Sequence, residues 1–316
     1  MKSYIQFVKP DIVLTQLDVD KIKNIIESGW FCDGDYVDDF ETYMEQKCNV
    51  NYAIACSSAT QGLIAALIGS GIKNKKIALP AFTWPSTLHA ILCSGNTPVF
   101  CDIDEKTWCI DLSTAQEDFD VVMPVDIFGH RSYVKTDVPV IYDAAHGFEI
   151  KDLGQRGMVE VVSFSFTKPV ICGQGGVILT SNYKIYEAAH EIIKLSAKML
   201  EVSAYLFFLS LDTLHKRTKI KNEIIKKYRK LIKIPFTEQK TRNSVSTYCI
   251  LLENKHKKDK IVKSFIKNNV EVKSYYEPLI NGLSITDNIA NRIIALPTYE
   301  RMLDKVPFIA SVINEA

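Results

Sequence analysis

The stretch VEVVSFSFTKPVICGQGG, residues 159–176, opens as a β-strand and closes on a glycine-rich turn. Val159, Val161 and Val162 are apolar, and Ser163, Phe164, Ser165 and Phe166 then alternate, which predicts a strand. Lys168 follows, with Pro169 directly behind it, and proline cannot donate to a sheet ladder. Lys168 is therefore expected on a turn just past the carboxyl end of a buried strand. Gly173, Gly175 and Gly176 permit positive φ or close backbone approach, and VILTS (177–181) predicts the next strand. A lysine against apolar walls is costly unless it finds a partner or sheds its charge. A desolvated lysine amine is a nucleophile for carbonyls and forms Schiff bases. The plainer alternative is a lysine that snorkels from the strand end to water.

Outward from this stretch, the chain alternates strands and helices. Residues 15–28 predict a helix ended by Gly29, and 37–47 a second. YAIAC (52–56) is a strand, followed by the apolar helix SSATQGLIAALIG (57–69). Ser58 and Gln61 have the spacing of a capping box. A helix start placed straight after a strand is an anion site, with Ser58 and Thr60 adding hydroxyls, unless these residues simply cap. KIALP (76–80) is a strand leading to Trp84 and a helix begun near Pro85. Trp84 suits either the core or stacking on a planar ligand. PVFCDI (98–103), VVMPVDIFG (121–129) and VPVIYDAAHG (138–147) continue the pattern. Asp143 ends an apolar strand, and needs a cationic or protonated partner to stay ionised, or else serves a turn. His146 suits a turn; no second histidine lies at metal spacing, so no metal site is expected.

These near-continuous apolar strands predict an α/β fold with a mostly parallel sheet between helices. Ligands bind such sheets outside the carboxyl ends of the strands. Those ends carry Ser58, Thr60, Trp84, Asp143, Ser163 and Lys168. Residues 183–233 predict long helices. The basic segment 215–233 has an apolar stripe of Ile220, Ile224, Ile225, Tyr228 and Leu231, so it reads as an amphipathic helix with a solvated face. Strands at 245–252 and 270–276, a helix at 257–268 and a last helix after LPTY (296–299) predict a smaller α+β domain. The expected division is 1–214 and 215–316.

The net charge of +1 and 47% hydrophobic content give no electrostatic case for nucleic acid or membrane partners. The eight cysteines lack CxxC spacing and read as reduced core residues. MKSYIQFVKPD carries charge where a signal peptide needs an apolar core, and the expectation is a cytoplasmic protein.

A lysine amine, a buried aspartate, a flat aromatic and a helix-start anion cradle together call for pyridoxal phosphate. In order and wording the chain resembles the pyridoxal-phosphate sugar aminotransferases of the DegT/StrS type, from about residue 12 to 303. SSATQGL resembles the phosphate-binding segment, implying Ser58, Ala59 and Thr60. PAFTWPST resembles the segment whose aromatic stacks on the ring, implying Trp84. YDAAHGF resembles the segment that gives the pyridine-nitrogen aspartate, Asp143, and a ring neighbour, His146. SFSFTKPVICGQGG resembles the Schiff-base segment, implying Ser163 at the phosphate and Lys168 as the catalytic lysine. TPVFCDID, PVDIFG, SYYEPL and LPTY resemble further landmarks.

The resemblance implies the aspartate aminotransferase fold (fold type I), with a mostly parallel seven-stranded sheet. It implies an internal aldimine on Lys168, L-glutamate as amino donor, pyridoxamine phosphate between half-reactions, and a nucleotide-linked keto sugar as acceptor. A homodimer with the site at its interface is implied too. Products of this kind feed O-antigen, capsule, glycan or antibiotic sugars. The chain departs from the family near 190–200, where Ser196 in SAKM replaces an asparagine that contacts the neighbouring subunit's phosphate. Gln174 stands where glutamate is common, and Ser165 where histidine is frequent. Two alternatives remain: a dehydratase using pyridoxamine phosphate, whose lysine would be replaced by histidine, and a degenerate binding subunit. A Rossmann dehydrogenase is disfavoured because no GxGxxG follows a strand.

Overall fold

A computed structural model describes residues 4–9, 12–240 and 245–316. The elements run α1 (Gln16–Ser28), α2 (Asp35–Cys48), β1 (Tyr52–Cys56), α3 (Ala59–Gly69), β2 (Lys76–Pro80), α4 (Ser86–Cys93), β3 (Thr97–Cys101), β4 (Val121–Val122), β5 (Ile141–Asp143), β6 (Val159–Ser163) and β7 (Gly176–Thr180). They continue with α5 (Tyr183–Ser196), α6 (Glu201–Asp212), α7 (Leu214–Leu231), β8 (Phe236–Glu238), β9 (Tyr248–Leu252), α8 (Lys255–Lys267), α9 (Ser284–Ala290), β10 (Ile293–Leu296) and α10 (Val306–Glu315).

The large sheet lies between two helix layers. Alternate residues of its strands face opposite sides, as the pleat demands. Val159 and Val161 of β6 pack with α3, α4 and α5, whereas Val162 packs with α2 and α6. Strand order is β1-β7-β6-β5 in one ladder and β3-β2-β4 in another. β7 is antiparallel to both its neighbours, while β5 and β6 are parallel, as are β2 with β3 and β4. The expected seven-stranded sheet is thus recorded as a four-stranded and a three-stranded ladder. They meet through single parallel bridges, Val122 to Val140 and Val125 to Asp143. The physical reason is proline: Pro139 and Pro124 accept from Val122 and Asp143 at 3.0 Å each but have no N–H to return.

The C-terminal sheet, β10-β9-β8, is antiparallel. Its core is Ile250, Leu252 and Ile294 against Ile224 and Tyr228 of α7, Phe265 of α8 and Ile309 of α10. The predicted amphipathic stripe of α7 is buried at Ile224, Ile225 and Tyr228. The strand expected over 270–276 is not formed. Among the described residues, that segment makes only the single bridges Ile5 to Val270 and Lys273 to Ala295. Its partner edge is supplied instead by β10, which the sequence pattern did not suggest. Among the described residues, no helix is long and apolar enough to cross a membrane.

Candidate active site

The carboxyl ends of the parallel strands open onto a cavity of about 390 Å³. Ser58, Ala59, Thr60, Trp84, Asp143, His146, Ser163 and Lys168 all line it, so every residue named from the sequence as a catalytic or cofactor-binding candidate converges there, whereas Ser196 does not line it.

β6 ends at Ser163, and the expected continuation through Phe166 turns instead. Phe164 is buried, while Phe166 is 53% exposed. The Lys168 N–H donates to the Ser165 carbonyl at 2.9 Å, closing a turn that aims the lysine into the cavity. Gly173 takes φ +85° on the way back, and Gly176 begins β7 where no side chain fits. A Cβ there would meet the Ala59 nitrogen at 2.6 Å. β7 therefore backs directly onto the first turn of α3.

That first turn forms one end of the cavity. Ser58 accepts the Gln61 N–H at 3.3 Å, and Thr60 donates to Ser86 at 2.8 Å. Ser86, Ser163 and Ser165 also line this end. Free N–H groups at a helix start, together with five hydroxyls, suit a phosphate. Asp143 lies deeper and is 4% exposed. Its Oδ2 accepts from Thr87 at 2.7 Å and its Oδ1 from the Ala145 N–H at 3.1 Å. Burial raises its pKa, against the pull of Thr87, the Ala145 N–H and Lys168. Such a carboxylate is suited to a cationic ring nitrogen. The set of donors and acceptors therefore fits pyridoxal phosphate: hydroxyls and helix N–H groups for the phosphate, Asp143 for the pyridine nitrogen, Lys168 for the carbonyl carbon.

Lys168 Nζ lies 2.7 Å from His146 Nε2. Burial pushes the Lys168 pKa down to about 8, against the pull of Asp143. Burial, with Lys168 beside it, drives the His146 pKa well below its ordinary value. The cavity thus offers a lysine that loses its proton easily and an imidazole that stays neutral. Trp84 is 56% exposed at the rim, edge-on to Tyr276 with ring centroids 6.1 Å apart.

Sequence reasoning missed Thr83, Ser86, Tyr275 and Tyr276 on the cavity wall, and Thr87, which holds Asp143 from behind it. Ser86 and Thr87 had a signal, since they open the helix after the strand end that carries Trp84. Tyr276 had only the SYYEPL landmark, which gave it no role, and it enters from the segment misread as a strand.

Residues 13–313 match the sequence model of the DegT/DnrJ/EryC1/StrS aminotransferase family. The chain is 29% identical over 219 residues to the 3-oxo-glucose-6-phosphate:glutamate aminotransferase of Bacillus subtilis (strain 168), covering 64% of this chain and about half (49%) of that protein. It is 23% identical to the GDP-perosamine synthase of Escherichia coli O157:H7, over 99% of this chain and 98% of that one. The fold superposes on DesI, solved in the presence of its TDP-sugar product, with a TM-score of 0.89 and 20% identity, covering 100% of this chain and 93% of DesI.

Proposed function

The chain belongs to the DegT/DnrJ/EryC1/StrS aminotransferase family and is a pyridoxal-phosphate-dependent sugar aminotransferase; from that premise, we propose that it carries an amino group from L-glutamate to the keto group of a nucleotide-linked deoxysugar. The observation that carries this reading is the meeting of Lys168, Asp143 and the first turn of α3 in one cavity. When bound, the cofactor supplies an electron sink for the carbanion formed next to the transferred nitrogen.

The chain's own residues do the rest. Lys168 is the residue that would hold the cofactor through its ε-amine, and as a free amine it would move the proton at the substrate's α-carbon. A pKa near 8 suits both tasks close to neutral pH. Asp143 would keep the ring nitrogen protonated. Ser58, Thr60 and Ser163, with the N–H groups of α3, would hold the phosphate, and Trp84 at the rim would pack against the ring. Lys168 is present where a dehydratase would carry histidine, which favours amine transfer. The name of the B. subtilis relative makes a sugar phosphate the second acceptor to try.

We propose further that the enzyme works as a homodimer. The exposed apolar side chains Trp30, Phe31, Leu195 and Leu200 gather beside the cradle, where Glu201 N–H donates to the Phe31 carbonyl and Ser57 N–H to the Ala197 carbonyl. Light scattering that found a fully active monomer would refute this.

Borohydride treatment of the cofactor-loaded protein should fix the cofactor on Lys168, and the Lys168→Ala protein should trap none. Retained trapping would sink the assignment. Asp143→Asn should still bind cofactor but lose turnover by about 10²–10³-fold, the usual cost of one preorganised electrostatic partner. Full turnover in that variant would contradict the role given to Asp143. Glutamate with a panel of nucleotide-linked keto sugars and keto sugar phosphates then decides the acceptor.

A further inference from the structure

His146 has a partner on each ring nitrogen. Nε2 faces Lys168 Nζ at 2.7 Å and the Tyr276 hydroxyl at 3.3 Å, while Nδ1 faces Ser246 Oγ at 2.5 Å. An ammonium has donors and no acceptor. Towards a charged Lys168, Nε2 must accept, so the ring proton belongs on Nδ1 and is donated to Ser246. We propose that Ser246 is a positioning residue for the reaction: by taking the Nδ1 proton it fixes the tautomer of His146, so that Nε2 is the acceptor that receives the Lys168 amine whenever that amine is free.

Ser246 is well placed for this. Its N–H donates to the Phe128 carbonyl at 2.8 Å. Lys221 Nζ donates to the carbonyl of the preceding residue, Val245, at 2.9 Å. The Phe128 ring stacks on Tyr276, with centroids 5.3 Å apart and planes 8° apart, and meets His146 edge-on. One residue, Phe128, thus fixes the serine by its backbone, and Tyr276 and the imidazole itself by its ring. Burial holds the Tyr276 pKa well above its ordinary value, so its hydroxyl keeps a proton to donate. A second-layer group that sets which imidazole nitrogen bears the proton is how histidines are commonly tuned. The titratable groups lining the cavity besides Lys168 are Asp143, His146, Tyr275 and Tyr276.

The inference rests on Lys168 being the cofactor lysine, but its test does not use the loaded enzyme. In cofactor-free protein, ¹⁵N NMR of the histidine rings, assigned with His146→Phe, should give the Nδ1-protonated tautomer. In Ser246→Ala the proton loses its acceptor and the ring should shift towards the Nε2-protonated form. An Nε2–H aimed at Lys168 disfavours the ammonium. The pH midpoint for acylation of Lys168, read by mass spectrometry, should then fall by about one unit, the worth of one hydrogen bond to a charged group. Ser246→Thr, which keeps the hydroxyl, should restore both readings. If Ser246→Ala fails to fold, Ser246→Cys carries the same test, since a thiol is a weak acceptor. An unchanged tautomer and midpoint in the hydroxyl-free variant would overturn the proposal. Failure of wild-type protein to trap the cofactor would instead sink the aminotransferase reading and leave the His146 tautomer untouched.

Discussion

Arg156, Asp126 and Glu160 form one buried ionic cluster, and Lys168, His146 and Asp143 form another, and the two are finished differently. In the first, Arg156 makes paired bonds to Asp126 at 2.9 and 2.7 Å and to Glu160 at 2.9 and 2.5 Å. The Arg156 N–H adds a bond to Glu160 and the Ser132 N–H one to Asp126, and the guanidinium lies 4.3 Å from the Tyr142 ring centre. Burial works against the Arg156 charge, but Asp126 and Glu160 hold its pKa above the ordinary value. In the second cluster the one carboxylate bonds Thr87 and Ala145, and among the described residues Lys168 reaches only a neutral imidazole. The first cluster is closed; the second is left short of a countercharge, which is what a site that receives a cofactor requires.

The largest effect should come from opening the closed cluster. Arg156→Met leaves two carboxylates buried without their cation, and should destabilise the protein by about 3–5 kcal/mol. Urea unfolding of the cofactor-free variant measures this. A neutral result would mean that the cluster is no firmer than the site, and the contrast would fail.

The same substitution at the open cluster should have the opposite sign. Lys168→Met removes a charge that the fold holds at a cost, so the cofactor-free variant should be more stable than wild type at pH 7, by about 1–3 kcal/mol. The pH dependence fixes the cause. The lysine pKa is lowered from 10.5 to about 8 on folding, so between those values the unfolded chain binds more protons than the folded one. Wild-type stability from this group therefore rises with pH across that window. The advantage of Lys168→Met should shrink over the same range and vanish above it. A variant less stable than wild type at pH 7 would show that Lys168 is adequately paired.

The open cluster was legible in the sequence because each member sits at the end of an apolar run, where the chain has just left a strand and must turn. Asp143 ends β5, and Lys168 follows β6 within a turn. β1 and β2 were legible for the same reason: YAIAC and KIALP are short, buried and flanked by turn residues. The closed cluster was invisible. Arg156 and Glu160 sit four apart in a loop and a strand, with no periodicity to mark them, and Asp126 comes from another strand end. The C-terminal segment failed differently. VEVKSYY alternates like a strand, yet its alternation serves two ends: Val270 packs into the core of the small sheet, and Tyr276 reaches the cavity. Period-two patterning reports which side chains are buried, and says nothing of whether the backbone has a partner to pair with.

Thr87 tests how finely the open cluster is held. Its hydroxyl donates to Asp143 Oδ2 at 2.7 Å and lies 3.3 Å from the Thr83 hydroxyl, and the residue is fully buried. Thr87→Val keeps the shape and removes the donor, which should cost about 1–2 kcal/mol in unfolding experiments. The hydroxyl lowers the Asp143 pKa, so its loss should raise that pKa further and weaken the hold on a protonated ring nitrogen. Turnover in Thr87→Val should therefore fall by less than in Asp143→Asn, with the acid limb of its pH profile moved upward. A limb that stays in place while stability drops would mean that Thr87 serves packing alone, and that the protonation of Asp143 is governed by burial and Lys168 without help from the helix behind it.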